Sequence, residues 1–186
     1  NNTTVESTEA PEVTNAEPTA VPTPLPTPED EAIYEITFDA VWSEGTHPDG
    51  YISTAHFSPF IAYNHDLTPE AAIFTDGETS TPGVKLMAET GQTSILEEEI
   101  DALIDDAYAH SYVKGARIDS PGSNKAQLSV SSDFRHLTLV SMIAPSPDWF
   151  VSTLNVSLVE DGKWIDEITL NATNWDAGTD SGPELD

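Results

Sequence analysis

The chain has 186 residues, and its 33 acidic side chains against 6 Lys and Arg give a formal net charge of −27. A field of that sign repels polyanions, which argues against nucleic acid as a partner, and attracts cations. The chain has no cysteine, which excludes a disulfide framework, a thiol nucleophile and thiolate zinc sites. The length suits one domain plus a tail, and no apolar run is long enough to insert directly into a membrane.

Residues 1–30 have the composition of a tail or linker. They contain no aromatic and no basic residue and are rich in Thr, Pro and Glu, so they cannot build a core. The Thr-Pro repeat in "VPTPLPTPED" favours an extended, semi-rigid chain, because proline fixes its own φ and restricts the residue before it. We therefore predict a tail over 1–30 and a folded domain over 31–186.

Strands outnumber helices among the predicted elements of the domain. In the run "AIYEITFDAVW" after residue 31, mostly polar side chains alternate with apolar ones, as in a strand. Similar runs predict further strands over Gln127–Val130, His136–Ala144, Phe150–Val159 and Lys163–Thr173. Asp161-Gly162 is a hairpin turn signal between the last two.

Two helices are predicted between the strands. In "SILEEEIDALIDDAYAH", Ser94 and Glu97 have the spacing of a capping box, and an apolar stripe follows at helical spacing. "GVKLMAETG" predicts a shorter helix that Gly91 closes. Many strands, few helices and short Gly- and Pro-containing connections together predict a mainly β fold, an antiparallel β-sandwich with one or two peripheral helices.

Four separated blocks resemble the spondin N-terminal domain family. They are "FDAVWSEGTHP" (38–48), "AHFSPFIAYNHD" (55–66), "PSPDWFV" (145–151) and "WDAGTDSG" (175–182), and the resemblance covers about residues 31–183. It implies a β-sandwich similar to calcium-dependent lipid-binding domains, an extracellular location, an adhesive role without enzymatic activity, and one Ca²⁺ ion bound by acidic side chains in loops at one end of the sandwich.

The resemblance assigns metal ligands by position. Asp148 of "SPDWF" and Asp176 of "WDAGTD" match two carboxylate ligands of the family. This agrees with the chemistry of Ca²⁺, which needs six to eight oxygens and so requires distant loops to converge. At the third position, where the family has a Glu, ungapped alignment places Ser129, a poor calcium ligand. Asp133, four residues further on, is the replacement we expect.

Simpler interpretations of the same residues stay open. Asp and Gly are also what an ordinary tight turn requires, and we assign Asp180 that role. His47, His56 and His65 lie in the matched blocks but lack metal-ligand spacing for zinc. Ser58, His56 and Asp66 have the residue types of a hydrolase triad, without a nucleophile elbow.

The sequence therefore predicts a secreted or cell-surface module that binds a protein or glycan on an extracellular surface, or copies of itself. The alternative is a structural subunit of a surface filament, in which the tail packs on a neighbouring subunit.

Overall fold

The computed structural model describes residues 31–179, so the predicted tail over 1–30 lies outside the described residues, as do residues 180–186. The strands are β1 (Glu31–Ala40), β2 (His56–Phe57), β3 (Ile61–His65), β4 (Ala109–Lys114), β5 (Ile118–Asp119), β6 (Gly122–Ser131), β7 (His136–Ala144), β8 (Trp149–Ser157), β9 (Val159–Glu160), β10 (Lys163–Trp164) and β11 (Thr173–Asp176). The helices are α1 (Pro82–Thr90) and α2 (Ser94–Asp105), and a 3-10 turn covers Pro69–Ala71.

Strand β7 is the centre of a large antiparallel sheet. On one side it pairs with β8, which pairs in turn with β11. On the other side its first half pairs with β3 and its last two residues pair with β2. Strands β4 and β5 extend the sheet beyond β3 and β2. A short turn joins β7 to β8, whereas the segment between β3 and β4 carries both helices.

A second sheet covers one face of the large sheet. Strand β1 pairs with β6 in unbroken antiparallel register from Glu31↔Ser131 to Ala40↔Gly122. Between the sheets lies the β1-side core, formed by Phe60, Ala62, Leu128, Val130, Leu137, Leu139 and Leu158. Strands with alternating burial on two facing sheets make a β-sandwich. The predicted antiparallel β-sandwich is confirmed.

The two helices cover the opposite face of the large sheet. Beneath them is the helix-side core, which includes Ile61, Tyr63, Phe74, Met87, Leu96, Ile100 and Phe150. Successive residues of β7 alternate between the two cores, with Leu139 in one and Val140 in the other, as the pleat of a strand requires. The predicted peripheral helices are confirmed.

The helix ends differ from the predicted caps in one place. Gly91 closes α1 in the left-handed conformation, at φ 73°, as predicted. The Ser94 cap is wrong, because Ser94 is the first helical residue and Thr93 is the N-cap. The Thr93 hydroxyl donates to Glu97 Oε1 at 2.6 Å, so Glu97 bonds to Thr93 and not to Ser94 as predicted.

A close approach of backbones joins α1 to α2. A Cβ on Gly83 would lie 2.6 Å from Leu96 Cα and 2.7 Å from Leu96 N, so only glycine fits here. Glu99 of α2 accepts hydrogen bonds from Gly83 N at 2.8 Å and from Thr81 Oγ1 at 2.7 Å. It thereby caps the N-terminus of its neighbour, where a negative charge is favourable.

The strand predictions succeeded for the long central strand and for one hairpin. Strand β7 has the predicted bounds, and β9 and β10 form the predicted hairpin with positive φ at Asp161 and Gly162. The strand predicted over Lys163–Thr173 is wrong, since only its two ends pair. Strand β3 was not predicted, because a strand covered on both faces shows no alternation and its run of five residues, which ends in Asn64 and His65, is too short to stand out as β7 does.

Candidate metal centre

The pairing of β8 with β11 brings Asp148 and Asp176 to the same end of the sandwich. Asp176 lies opposite Trp149 in the ladder. One residue further, Ala177 N donates to Asp148 O at 3.1 Å. Two motifs that are far apart in sequence therefore meet side by side, as a site built from distant loops requires.

Both carboxylates bond to one turn. Asp176 Oδ1 accepts from Gly178 N at 2.7 Å. Asp148 Oδ2 accepts from Thr179 N at 2.9 Å and from Thr179 Oγ1 at 3.2 Å. Gly178 has φ 72°, a conformation that suits glycine. The two side chains thus converge on consecutive N–H groups of a turn over residues 176–179, here called the acidic turn.

The two aspartates have different surroundings. Asp148 is fully buried and shares the covered face with Ala177, whereas Asp176 is exposed and shares the opposite face with Trp149. Opposite faces follow from the alternation of a strand pair. A shared ion would therefore require both side chains to reach the end of the pair, where each accepts a hydrogen bond from the acidic turn.

A third segment supports the acidic turn from the helix side of the sheet. Ser80 N and Ser80 Oγ both donate to Ala177 O at 3.2 Å. The next residue, Thr81, is the N-cap of α1, accepting from Val84 N at 3.4 Å. Sequence reasoning missed this segment, although Thr81 before Pro82 is a recognisable helix start.

The structure does not bring Asp133 to this site. Asp133 lies in the turn between β6 and β7, whereas Asp148 follows the other end of β7. A strand of nine residues extends roughly 30 Å, so the two carboxylates lie at opposite ends of the sandwich. Asp133 as third ligand is therefore wrong, and Ser129 in β6 lies near the same far end. The ungapped alignment could not reveal this, because strand direction decides it.

The residues present fit a partly formed calcium site. Asp148, Asp176 and the Thr179 hydroxyl are all oxygen donors, which suits Ca²⁺ better than zinc or copper. Within residues 31–179 no group of three or more His, Cys, Asp or Glu side chains could hold a metal. The described chain thus offers two carboxylates to an ion at this end of the sheet, and the remaining oxygens would be hydroxyl, carbonyl or water. Asp180 lies outside the described residues.

The hydrolase hypothesis fails at its nucleophile. Ser58 is only 1 % exposed. Its Oγ accepts from Met142 N at 2.9 Å and lies 3.1 Å from Pro59 O and 3.3 Å from Ser141 Oγ, so it joins strands and does not face a substrate. His56 Nδ1 contacts Thr54 O at 2.9 Å. A buried, fully bonded hydroxyl cannot reach a substrate.

His65 has a structural environment, which also answers the zinc hypothesis. It is 2 % exposed and stacks on Tyr63, with ring centroids 4.5 Å apart. Its Nδ1–H donates to Asp66 O at 2.5 Å, and its Nε2 accepts from Thr138 Oγ1 at 2.8 Å. Burial lowers the pKa of His65, because desolvation disfavours the charged ring. His47 lies on an exposed turn beside Thr46.

Fold and site together define a class: a β-sandwich domain with helices on one face and an acidic turn at the end of the sheet. The chain belongs to the spondin N-terminal domain family, because the Spondin_N family model matches residues 32–185. It is 31% identical to chicken spondin-1 over 158 residues, which is 81% of this chain and 20% of spondin-1. It is 31% identical to rat spondin-2 over 156 residues, 81% of this chain and 47% of spondin-2, and 29% identical to human spondin-2.

The chain therefore spans about a fifth of spondin-1 and just under half of spondin-2. The described helices include none that is both long and apolar enough to cross a membrane.

Proposed function

We propose that this chain is a non-enzymatic, extracellular adhesion module that binds one Ca²⁺ ion at the acidic turn. The observation that carries the proposal is the convergence of Asp148 and Asp176 on consecutive N–H groups of that turn. Membership of the spondin family supports the extracellular, adhesive role. The partner is a protein or a glycan on an extracellular surface, since a net charge of −27 disfavours nucleic acid.

A bound calcium ion would supply positive charge to the two carboxylates that bond to the acidic turn. The chain's own residues hold the loops in position. The ladder between β8 and β11 fixes the separation of the two loops, and Ser80 ties the acidic turn to the start of α1. The ion would therefore stiffen loops that are already placed by the sheet, and so present a preorganised surface to a partner.

Calorimetric titration with Ca²⁺ tests this proposal. The wild type is expected to bind one ion with a dissociation constant of about 10⁻⁴ to 10⁻³ M, the range of extracellular modules. The double variant Asp148→Asn, Asp176→Asn should show no saturable heat. Asn retains an oxygen that can accept from Thr179 and Gly178, so the turn itself is kept. Asp133→Asn, at the far end of β7, is the matched control and should bind as the wild type does.

Thermal unfolding gives a second measurement. Saturating Ca²⁺ should raise the melting temperature by about 3 °C or more, because a ligand of the native state stabilises by mass action. Equal concentrations of Na⁺ at matched ionic strength control for screening of the net charge. Identical calcium heats and melting shifts in the wild type and the double variant would refute the calcium site.

A second candidate function is a subunit of a surface filament. The observation that favours it is strand β1, a ten-residue strand whose ladder partner within residues 31–179 is β6 alone. Its Ile33 is 73 % exposed. A long exposed edge is a template for pairing with another chain. Sedimentation velocity should then show assembly of the full chain and loss of assembly on deletion of residues 1–30; assembly that survives the deletion counts against the tail as the connector.

A further inference from the structure

Strand β1 has one open backbone edge. It forms a two-stranded sheet with β6, in unbroken antiparallel register over its ten residues. In such a pair the N–H and C=O groups of alternate residues point away from the partner strand. The described part of the chain supplies no second ladder partner for those groups. A row of unpaired backbone donors and acceptors of this length can accept one more strand.

Strand β1 also lacks the features that commonly block strand addition. Proteins protect an open edge with Pro, with Lys, with a bulge or by keeping the strand short. Residues 31–40 contain no Pro, Lys or Arg, and the register with β6 has no bulge. The edge is therefore accessible to any extended chain whose side chains suit it.

The inward-facing side chains of β1 are only partly covered. This row packs against the β1-side core and consists of Ala32, Tyr34, Ile36 and Phe38. In the ladder, Ala32 is opposite Val130 and Tyr34 is opposite Leu128, and both of these β6 residues are buried. Burial thus decreases from β6 to β1, toward the open edge. A strand added beside β1 would remove more of this apolar row from water, which is favourable.

The outward-facing side chains of β1 include three acidic residues on one face. Glu31, Glu35 and Asp39 are exposed and are spaced by four residues, so they point the same way. From the neighbouring strand β6, Lys125 Nζ donates to Glu35 Oε1 at 2.5 Å, which shows that a basic side chain one strand away reaches this row. Within residues 31–179, Glu31 and Asp39 form no ion pair. Basic side chains on an added strand would lie opposite all three.

The charges determine which occupant fits the edge. Two copies of β1 paired antiparallel about Glu35 would place acidic residues opposite acidic residues, which is destabilising. Residues 1–30 contain acidic side chains and no basic one, so the tail is repelled as well. A basic segment is attracted by the row and by the net charge of −27.

We propose that the open edge of β1 binds an extended, basic segment of an extracellular partner protein by strand addition, with Lys or Arg side chains opposite Glu31, Glu35 and Asp39. This assignment rests on the proposed adhesive function and names its partner class. The filament candidate uses the same edge, and the experiments below separate the two.

The first test is binding of a designed peptide to the full chain. The probe is fluorescently labelled Lys-Val-Thr-Val-Lys-Val-Thr-Val-Lys, titrated at about 0.15 M NaCl and followed by fluorescence anisotropy. Its Lys residues repeat the spacing of Glu31, Glu35 and Asp39, so it fits β1 in either direction. Saturable binding is expected. The same peptide with Glu in place of Lys should not bind, and equal binding of the two peptides, or no binding of either, overturns the proposal.

Hydrogen exchange followed by ¹H–¹⁵N NMR tests the mode of binding. The Lys peptide should slow the exchange of alternate β1 amides, which face the open edge. Two further versions of the peptide, N-methylated at its odd or at its even residues, form a matched pair, because only one of these sets of amides faces β1. One version should lose binding and the other should keep it. Equal binding of the two versions overturns strand addition.

Variants of β1 locate the site. Glu31→Gln, Glu35→Gln and Asp39→Asn together should weaken binding of the Lys peptide by about fivefold or more, the effect of three exposed ion pairs. Ile33→Lys adds a basic residue to the same face of the strand and should also weaken binding. It keeps the test decisive if the triple variant does not fold. Unchanged affinity in these variants overturns the proposal.

The control variant removes the same number of charges from the helix side of the sandwich. It changes three exposed residues of α2 and consists of Glu98→Gln, Asp101→Asn and Asp105→Asn. This control should bind the Lys peptide as the wild type does. A loss equal to that of the β1 triple variant would mean that only the overall charge attracts the peptide, and it overturns the proposal.

The NMR experiment also detects other occupants of the edge. Protection of the edge amides that rises with the concentration of the chain alone would identify a second copy. Protection caused by a peptide of residues 1–30 added to the full chain would identify the tail. Either result overturns the assignment to a basic partner.

The peptide titration separates this inference from the calcium proposal. It is repeated with EDTA and with the variant Asp148→Asn, Asp176→Asn. Peptide binding that persists there upholds the β1 edge even if calorimetry finds no calcium site. Calcium binding without any peptide binding overturns the β1 edge and leaves the calcium site intact.

Discussion

The two faces of the large sheet are covered in different ways. On the β1 side, one long strand pair lies across the sheet in unbroken register. On the helix side, the sheet is covered by α1, α2, the 3-10 turn and the loop with Ser80, each over a part of it. Polar bonds attach such segments to the sheet; for example, Tyr63 Oη donates to Ala71 O at 2.9 Å. The acidic turn is attached to this second face through Ser80.

The difference shows where the candidate site obtains its rigidity. A ladder of backbone bonds tolerates changes of exposed side chains, because its register depends on the backbone and on one buried face. A layer assembled from short segments depends instead on particular contacts, each of which forms in only one geometry. We expect the helix side to be the sensitive one, and the following changes test that expectation.

The largest effect is expected from Gly83→Ala. The added Cβ would come within 2.6 Å of Leu96 Cα, and a backbone atom cannot move aside without separating α1 from α2. We expect a loss of about 2–4 kcal/mol in the free energy of unfolding, measured by urea denaturation. The gain in helix propensity of about 1 kcal/mol is too small to offset it.

Gly50→Ala is the control for this change. A Cβ on Gly50 meets nothing within 4 Å, so the free energy of unfolding should change by no more than about 0.5 kcal/mol. A loss in Gly83→Ala as small as in Gly50→Ala would show that the two helices can slide apart, and that the helix side is not the rigid one.

A moderate effect is expected from pH, through His65 on the helix side. Burial lowers the pKa of His65, and burial with the nearby Arg135 charge lowers that of His136. A pKa that is lower in the folded than in the unfolded chain means that the unfolded chain binds protons first. Stability should therefore be full above the ordinary histidine pKa of about 6.5 and fall as the pH drops below it.

Denaturation midpoints at pH 7.5 and pH 5.5 check this expectation. His65→Gln should show a smaller fall than the wild type, with the remainder attributable to His136. His47→Gln, on an exposed turn, should fall as the wild type does. An unchanged fall in His65→Gln would contradict the assignment of the pH dependence to His65.

The smallest effect is expected on the β1 side, from Ile33→Thr. Ile33 is 73 % exposed and lies opposite Ser129 on the outer face of the ladder. Both Ile and Thr suit a strand, so the free energy of unfolding should change by less than about 0.5 kcal/mol in the same urea assay. A loss comparable to that in Gly83→Ala would mean that Ile33 is covered and that the two faces are equally sensitive.

Sequence patterns predicted the parts of this fold that local chemistry controls. Strand β7 is a long run of strand-forming residues, and the Asp161-Gly162 hairpin and the Gly91 helix end depend on positive φ, which local residues specify. Strand β3 was missed because burial on both faces removes alternation and its run is only five residues long. The strand over Lys163–Thr173 was predicted wrongly because its pattern is strand-like while only its ends find partners, and pairing depends on distant residues.

At the candidate site, too, some features follow from the sequence and others only from the tertiary structure. The sequence by itself determined that Asp148 and Asp176 belong to motifs of the spondin family, and that the protein is strongly acidic. Only the tertiary structure decided that these two meet at one turn and that Asp133 does not join them. The physical reason is strand direction. Residues at the two ends of one strand are near in sequence and far apart in space. Antiparallel pairing of β8 with β11, in contrast, brings together residues that a long intervening segment separates.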